Sequence, residues 1–217
     1  MNEFIRMKLQ LSLDFGRLDD AISILTDTHP YVDIIELGTP LLFREGLSAL
    51  TTIKERYLEI DVLADLKIID GGCYESGLAF EAGADFVTVL GAASDRTIEA
   101  AIETAEKFKK KIVVDLIGVK QTKQRIQQID HTNADYVCLH TAMDDSKDKS
   151  IPVDDLAVAK TAATHIGIAI AGGINIHNIL KILPHHPDII VVGSGITQQP
   201  DKALAAMEIR KVMNGQQ

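Results

Sequence analysis

The segment Asp65-Leu66-Lys67-Ile68-Ile69-Asp70 places two carboxylates and an ammonium group directly after the largely apolar run 60–64. On a strand, residues two apart share a face, so Asp65 and Lys67 should point the same way. Asp70 should lie in the loop before Gly71-Gly72. Unpaired buried charges are costly. These groups therefore form either a structural ion pair or part of a site that meets a ligand.

The elements that would position these groups alternate along the whole chain. Short β-rich runs begin 21 to 32 residues apart, at 7–15, 32–38, 60–67, 85–91, 111–118, 135–141, 167–173 and 188–195. Helical patterns lie between them: Ser94 is a predicted N-cap, and Pro200 is placed in the first turn of the last helix.

Strict alternation of strands and helices implies a parallel sheet of the α/β class. Eight such units predict one (β/α)₈ TIM barrel over residues 7–217, after an N-terminal extension of residues 1–6. An open doubly wound sheet is the competing fold. It is disfavoured because no Gly-x-Gly-x-x-Gly turn follows the first strand, where the chain reads Asp14-Phe15-Gly16-Arg17.

The predicted strands carry polar side chains where they end, which is where barrels of this kind have their active sites. These side chains, in chain order, are Asp14, Glu36, Asp65 with Lys67, Thr88, Asp115 and His140. A single polar residue could simply end a strand without any function. Six successive strands that each end in such a residue predict a shared active site.

The last two strands end in glycines instead of charged groups. Gly172 and Gly173 follow strand seven, and Gly193 and Ser194 follow strand eight. Glycine lets an anion approach backbone N–H groups, and the loops after these two strands commonly bind phosphate in (β/α)₈ barrels. A phosphorylated substrate is therefore expected.

Composition limits the function classes. A formal charge of −9 over 217 residues disfavours nucleic acid as a partner. No stretch approaches the roughly 20 apolar residues of a membrane span, and the first residues lack a signal-peptide pattern, so a cytoplasmic protein is expected. Cys73 and Cys138 lie within or next to apolar segments, have no metal-like spacing and should be buried free thiols.

Two further segments allow two interpretations each. His185-His186 lies between Pro184 and Pro187 and is either a solvated pair or a metal site. The polar loop 144–150 after His140 is either a solvated connector or a mobile flap over the substrate.

The pattern Asp-x-Lys-x-x-Asp at 65–70 resembles the mark of the orotidine 5′-phosphate decarboxylase suprafamily of barrels. Within this suprafamily, the chain most resembles the family of 3-hexulose-6-phosphate synthases and 3-keto-L-gulonate 6-phosphate decarboxylases. Of these two groups of enzymes, it resembles the synthases more. The segments that support this resemblance are residues 7–10, 32–40, 83–91, 113–118 and 171–173.

This resemblance implies an aldol reaction between formaldehyde and D-ribulose 5-phosphate. It implies Mg²⁺, with Mn²⁺ as a possible substitute, bound by Glu36 and Asp65. Lys67 would stabilise an enediolate, His140 would transfer a proton, and Asp115 would orient hydroxyls or relay a proton. The substrate-binding residues expected from the resemblance and from position are Asp14, Glu36, Thr88, Gly172, Gly173, Gly193 and Ser194. The family also implies a homodimer in which the Asp70 carboxylate enters the partner's pocket, so Asp70 is counted with the catalytic residues.

Three other functions compete with this one. The related decarboxylase should carry Arg in the loop after the histidine strand and Arg in the last phosphate loop, where this chain has Met143 and Ser194. A phosphopentose epimerase of similar fold should have paired His and Asp metal ligands at several strand ends, where only His140 stands here. A non-catalytic sugar-phosphate barrel would be favoured if Asp65, Lys67 or His140 were missing.

Overall fold

In a computed structural model, which describes residues 6–14, 16–142, 144, 151 and 153–215, parallel strands form a closed barrel in chain order. The barrel closes where Lys8 to Leu11 pair with Ile189 to Val192. The strands are β1 Lys8–Leu13, β2 Ile34–Leu37, β3 Asp61–Ile68, β4 Phe86–Leu90, β5 Lys111–Asp115, β6 Tyr136–His140, β7 Gly167–Ala171 and β8 Ile189–Val192. The predicted (β/α)₈ fold is confirmed.

Helices cover the outside of the barrel. They are α1 Leu18–Thr28, α2 Thr39–Glu45, α3 Ser48–Arg56, α4 Gly72–Glu81, α5 Asp95–Phe108, α6 Thr122–Ile129, α7 Val153–Ala162, α8 Ser194–Thr197 and α9 Lys202–Met213. Between β7 and β8, where all residues are described, the chain forms only the 3₁₀ turns Ile179–Lys181 and Leu183–His185. Pro184 lies within the second turn and Pro187 follows it, and both disfavour a longer helix. None of the described helices is long and apolar enough to cross a membrane.

One of the two predicted helix starts is confirmed and the other is wrong. Ser94 caps α5, and its side chain accepts a hydrogen bond from the Thr97 N–H at 3.2 Å. The last helix begins at Lys202, so Pro200 lies before it. Its N-cap is Asp201, whose carboxylate accepts from the Leu204 N–H at 2.8 Å. A carboxylate at this position satisfies a free N–H and favours the helix start that is observed.

The strands separate two hydrophobic cores. The barrel interior contains Ile34, Leu63, Phe86, Val113 and Cys138, with partners from β7 and β8. Both cysteines are free thiols as predicted, but only Cys138 is buried; the prediction of burial is wrong for Cys73, which is exposed on α4. The larger core lies between the outer strand faces and the helices. Because side chains alternate along a strand, the residue two positions after each interior residue also faces inward, nearer the carboxyl end. The opening of the barrel at the carboxyl ends of the strands is called the mouth, and the packed interior layer forms its floor.

Four aspartates at the opposite rim join neighbouring strands in pairs. Each precedes an even-numbered strand, donates its backbone N–H to a carbonyl of the preceding odd-numbered strand, and accepts that same residue's N–H on its carboxylate. The pairs are Asp33 with Leu9, Asp85 with Val62, Asp135 with Ile112 and Asp188 with Ile168. These strand-start aspartates recur every 50 to 53 residues and stabilise the register of β1–β2, β3–β4, β5–β6 and β7–β8.

The extension 1–6 lies outside the described residues apart from Arg6, whose guanidinium is 3.4 Å from the Asp33 carboxylate.

Replacing Asp85 should destabilise the barrel. Its carboxylate accepts from the Val62 N–H at 2.9 Å, from Lys54 at 2.7 Å and from Lys110 at 2.6 Å. Asp85→Ala leaves these donors without their acceptor, so the free energy of unfolding should fall by roughly 2–4 kcal/mol at pH 7. Denaturant titration measures the change, and Glu103→Gln on the exposed face of α5 should shift it by less than about 0.5 kcal/mol.

The loss of stability caused by Asp85→Ala should be largest at neutral pH and should shrink in acid. Burial alone would raise the pKa of Asp85, but the two lysines and the Val62 N–H hold it below its ordinary value. The stabilisation is therefore complete above the ordinary carboxyl range and is lost as the pH falls below about 4. A difference between parent and Asp85→Ala that stays constant down to pH 3 would contradict this account.

Candidate active site

The predicted strand-end residues meet at the mouth of the barrel. Five of them lie two positions after an interior core residue, and these five are Glu36, Asp65, Thr88, Asp115 and His140. Asp14 follows the last residue of β1. Lys67 interacts electrostatically with Asp14, Glu36, Asp115 and His140, so the charged groups of five strands share one space.

Asp65 and Lys67 form an ion pair at the centre of this mouth. The Asp65 side chain is buried, and its Oδ2 accepts a hydrogen bond from the Lys67 ammonium. The backbone is irregular here, because β3 advances from Ala64 to Ile68 while β4 advances only from Val87 to Val89. Lys67 adopts a left-handed φ of 49° at this bulge. Such backbone conformations in non-glycine residues are uncommon and often occur at functional sites.

The environment of Lys67 keeps it positively charged. Burial alone would lower the pKa of this amine, but the charge and hydrogen bond of Asp65, with smaller contributions from Asp115 and Glu36, raise it above its ordinary value. A permanent ammonium inside the mouth can stabilise negative charge that develops on a bound substrate.

Glu36 lies beside the pair on β2. It is 8% exposed, and its Oε2 accepts a hydrogen bond from the Gln10 amide at 2.6 Å. Burial raises the pKa of Glu36 to about 8, and the nearby carboxylates of Asp65 and Asp14 contribute to the same shift. The mouth therefore holds more acidic groups than its cations neutralise.

His140 and Asp115 form a second pair. The Nδ1 of His140 lies 2.8 Å from Oδ2 of Asp115, and Oδ1 of Asp115 accepts from the Ile117 N–H at 2.9 Å. Burial alone would lower the pKa of His140, but Asp115 raises it above its ordinary value. With the Nδ1 proton directed at Asp115, the neutral ring offers Nε2 as a proton acceptor.

Asp14 stands at the rim. Its carboxylate accepts from the Ser12 hydroxyl at 3.0 Å and lies between Gly38, after β2, and Gly193, after β8. Loss of surrounding water raises the pKa of Asp14, and the charge of Asp65 adds to this effect. Its position suits a contact with a hydroxyl of a bound molecule.

The two glycine-rich loops lie next to each other, as the phosphate hypothesis requires. Gly172 has a φ of 106°, and a side chain there would meet the Thr141 carbonyl at 2.6 Å. Gly195 packs on the next loop so closely that a Cβ would lie 2.3 Å from the Ile174 oxygen. Ser194 is exposed at the start of α8. The loops that contain Gly172, Gly173, Gly193 and Ser194 are thus adjacent, and a phosphate site between them stays a prediction.

The carboxylates of the mouth fit a hard divalent cation. Glu36 and Asp65 supply oxygen ligands only, and burial together with the neighbouring carboxylates of Asp65 and Asp14 raises the pKa of Glu36. Among the described residues, no group of three or more His, Cys, Asp or Glu side chains could form a protein-only metal cage. Mg²⁺ is commonly bound by one or two carboxylates together with water and substrate oxygens, which matches this donor set.

Asp70 does not join the cluster of its own chain. It is exposed, and its carboxylate accepts from the Gly71 N–H at 2.7 Å. No described hydrogen bond or ion pair connects it to Lys67. His185-His186 lies before β8, at the rim opposite the mouth. Met143 and the proposed flap, except for Asp144, lie outside the described residues.

Two residues of the mouth were not predicted from the sequence. Gln10 holds Glu36, and the Thr39 hydroxyl contacts both members of the Asp65–Lys67 pair. The position of Gln10 gave a signal, because a polar side chain in the middle of a buried strand needs a hydrogen-bond partner. Thr39 lies two residues after the end of β2, and its contacts depend on how α2 packs on β3.

The sequence matches the model of the orotidine 5′-phosphate decarboxylase / HUMPS family over residues 7–209. It is similar to the 3-hexulose-6-phosphate synthase of Bacillus subtilis (strain 168), with 42% identity over 207 residues, 95% of this chain and 99% of the relative. The fold is similar to a 3-hexulose-6-phosphate synthase from Salmonella typhimurium, with a TM-score of 0.94, 41% identity, and 97% and 100% of the two chains covered. It is also similar to 3-keto-L-gulonate-6-phosphate decarboxylase from Vibrio cholerae, with a TM-score of 0.86, 26% identity, and 97% and 98% covered.

Asp115→Asn should lower the pKa of His140, because the variant removes the charge that raises it. The substitution preserves the shape of the side chain and can still accept from the Ile117 N–H. Titration of the imidazole signals by NMR measures the shift, with His29 at the far end of α1 as an internal reference. An unchanged His140 pKa would mean that Asp115 does not control this imidazole.

Proposed function

The chain belongs to the orotidine 5′-phosphate decarboxylase / HUMPS family, and from this membership we propose that it condenses formaldehyde with D-ribulose 5-phosphate, as a 3-hexulose-6-phosphate synthase. The chain is an enzyme of the lyase class. The observation that carries the proposal is the meeting of the Lys67 ammonium with the His140–Asp115 pair in one mouth. A fixed positive charge beside a proton acceptor suits the formation of an enediolate.

The first step is removal of a proton from C1 of ribulose 5-phosphate. His140 takes this proton on Nε2, and Asp115 holds the ring through Nδ1 and stabilises the imidazolium that forms. The electron pair of the broken C–H bond moves towards the C2 carbonyl, whose oxygen becomes negative. Lys67 stabilises this developing charge because its ammonium is already held in place by Asp65.

The second step forms the carbon–carbon bond. C1 of the enediolate attacks the carbon of formaldehyde, and the electron pair of that C=O bond moves to its oxygen. Protonation of this oxygen by the His140 imidazolium completes D-arabino-hex-3-ulose 6-phosphate and returns the imidazole to its starting state. Asp14 binds a sugar hydroxyl, and the loops containing Gly172 and Ser194 bind the phosphate.

A magnesium ion would be held by Glu36 and Asp65. When bound, it supplies positive charge to the substrate oxygens as negative charge develops on them. The buried and mutually repelling carboxylates support this assignment, because a dication would stabilise their ionised forms.

The related decarboxylase is the second candidate function. Two observations favour the synthase over it. The residue that begins α8 is Ser194, a neutral side chain, where the decarboxylase is expected to carry Arg. Identity to the synthase relatives is 37–42%, against 26% to the decarboxylase from Vibrio cholerae.

We also propose a homodimer in which Asp70 completes the partner's site. Asp70 is exposed, and no described hydrogen bond or ion pair links its side chain to the charged groups of its own mouth. Exposed large apolar side chains lie on α2, next to Asp70 in the loop after β3, and on α4. Phe43 is 86% exposed, Ile69 55% and Tyr74 73%. Apolar side chains that cluster on a surface are typical of an interface, and a twofold axis would bring each copy of the β3–α4 loop to the other subunit.

Purified protein should consume formaldehyde when ribulose 5-phosphate and Mg²⁺ are present, and EDTA should stop the reaction. Lys67→Ala should abolish turnover without loss of the folded circular dichroism spectrum, because the charge that stabilises the enediolate is gone. Release of CO₂ from 3-keto-L-gulonate 6-phosphate, measured in parallel, tests the second candidate. Dominant CO₂ release would overturn the synthase proposal, and formaldehyde loss that resists EDTA would overturn the metal proposal.

Asp70→Ala and His140→Asn should each be inactive alone and recover activity when mixed. A hybrid dimer has one intact site, formed by His140 of one subunit and Asp70 of the other. Statistical mixing should restore roughly a quarter of parent activity. The two variants are unfolded together and refolded, with each variant treated alone as the control. If the mixture stays inactive while size-exclusion chromatography shows dimers, Asp70 does not serve the partner.

A further inference from the structure

We propose that the hydroxyls of Thr39 and Thr88 are positioning groups that hold the Asp65–Lys67 pair from two sides. This inference deepens the proposed function and rests on it. Neither residue is proposed to touch the reacting atoms. Their effect on the reaction would pass through the position of the Lys67 ammonium.

Thr88 holds the pair from β4. Its Oγ1 donates to Asp65 Oδ1 at 2.8 Å and accepts the backbone N–H of Lys67 at 2.9 Å. The second bond fixes the residue whose φ is 49°, at the point where β3 and β4 lose their regular register. The Thr88 side chain is buried, and its hydroxyl proton is used within the protein. Positioning therefore explains this residue better than the substrate contact expected from its place at the strand end.

Thr39 holds the pair from the other side. Its Oγ1 lies 2.8 Å from the Asp65 carbonyl oxygen, 3.0 Å from Asp65 Oδ2 and 3.3 Å from the Lys67 ammonium. A hydroxyl has one proton and two lone pairs, so Thr39 donates to Asp65 and accepts from Lys67. It is the first residue of α2 and precedes Pro40, which restricts the backbone there.

The two hydroxyls together engage both oxygens of the Asp65 carboxylate. Thr88 donates to Oδ1, whereas the single Thr39 proton is shared between Oδ2 and the Asp65 carbonyl oxygen. Because Oδ2 also accepts from Lys67, the carboxylate plane cannot rotate without losing a hydrogen bond. The Lys67 ammonium bonds to Oδ2 and to the Thr39 oxygen, which gives it two acceptors instead of one. Small displacements of a preorganised charge weaken the stabilisation of a transition state more than the binding of substrate.

The experiment compares two substitutions at each position. Thr39→Val and Thr88→Val keep the shape of the side chain and remove the hydroxyl, whereas Thr39→Ser and Thr88→Ser retain it. Each is assayed for kcat and for KM with ribulose 5-phosphate, and for exchange of the C1 hydrogen with D₂O without formaldehyde. Thr104→Val, which removes a buried helical hydroxyl in α5 remote from the mouth, is the matched control.

The valine variants should lose roughly 10-fold to 100-fold in kcat and in the exchange rate, as expected for hydrogen bonds to charged groups. KM should change by less than about threefold, because substrate binding does not use these hydroxyls. The serine variants should recover most of the loss. Valine and serine variants with equal kcat, or a rise in KM without a fall in kcat, would overturn the positioning role.

Two controls separate this inference from folding and from the proposed function. Thr39 is only half-buried, so Thr39→Val carries the kinetic test if Thr88→Val does not fold. Hydrogen exchange at the Lys67 amide needs no turnover, and Thr88→Val should accelerate it while Thr88→Ser restores it. If the parent does not react with formaldehyde, the proposed function fails. If the Lys67 amide exchanges no faster in folded Thr88→Val than in the parent, the positioning role is overturned whether or not the proposed function holds.

Discussion

Pairing of β8 with β1 closes the sheet, and the contacts of the candidate active site depend on this closure. In an open parallel sheet the end of β1 would lie several strand spacings from the end of β6. In the barrel, the charge of His140 acts on Asp14 across the mouth. The strand-start aspartates stabilise the register at the opposite rim. A one-residue slip would turn Glu36 or Asp65 from the interior to the outer face, so register and chemistry are linked.

Charge balance accounts for much of what the mouth contains. Four carboxylates share it with one ammonium and one imidazole, and burial makes each uncompensated charge costly. The structure responds in three ways. Asp65 pairs with Lys67, and Asp115 pairs with His140. Neutral donors bind one oxygen each of Asp14 and Glu36 and the second oxygen of Asp65 and of Asp115. Burial and the neighbouring carboxylates raise the pKa of Glu36 to about 8, so its neutral form is favoured.

Much of the fold and several residues of the mouth could be predicted from the chain. Alternation of strands and helices predicted the barrel, and the strand-end positions of Glu36 and His140 predicted the inward face. The start of α9 was placed wrongly, because the carboxylate of Asp201 determines it and not the ring of Pro200. The contacts of Gln10 and Thr39 could not be predicted from the sequence, because they depend on how neighbouring strand–helix units pack.

The sequence by itself determined which side chains face the barrel interior and at which end, because a strand alternates every two residues and parallel strands end at one rim. Only the tertiary structure decided their partners. Lys67 pairs with Asp65 and not with Asp70, Asp115 holds His140, and Thr88 bonds within the protein. The physical reason is that a side chain's face is a local property of the backbone. A hydrogen bond between strands depends on register, on the bulge at Lys67 and on residues more than twenty positions apart.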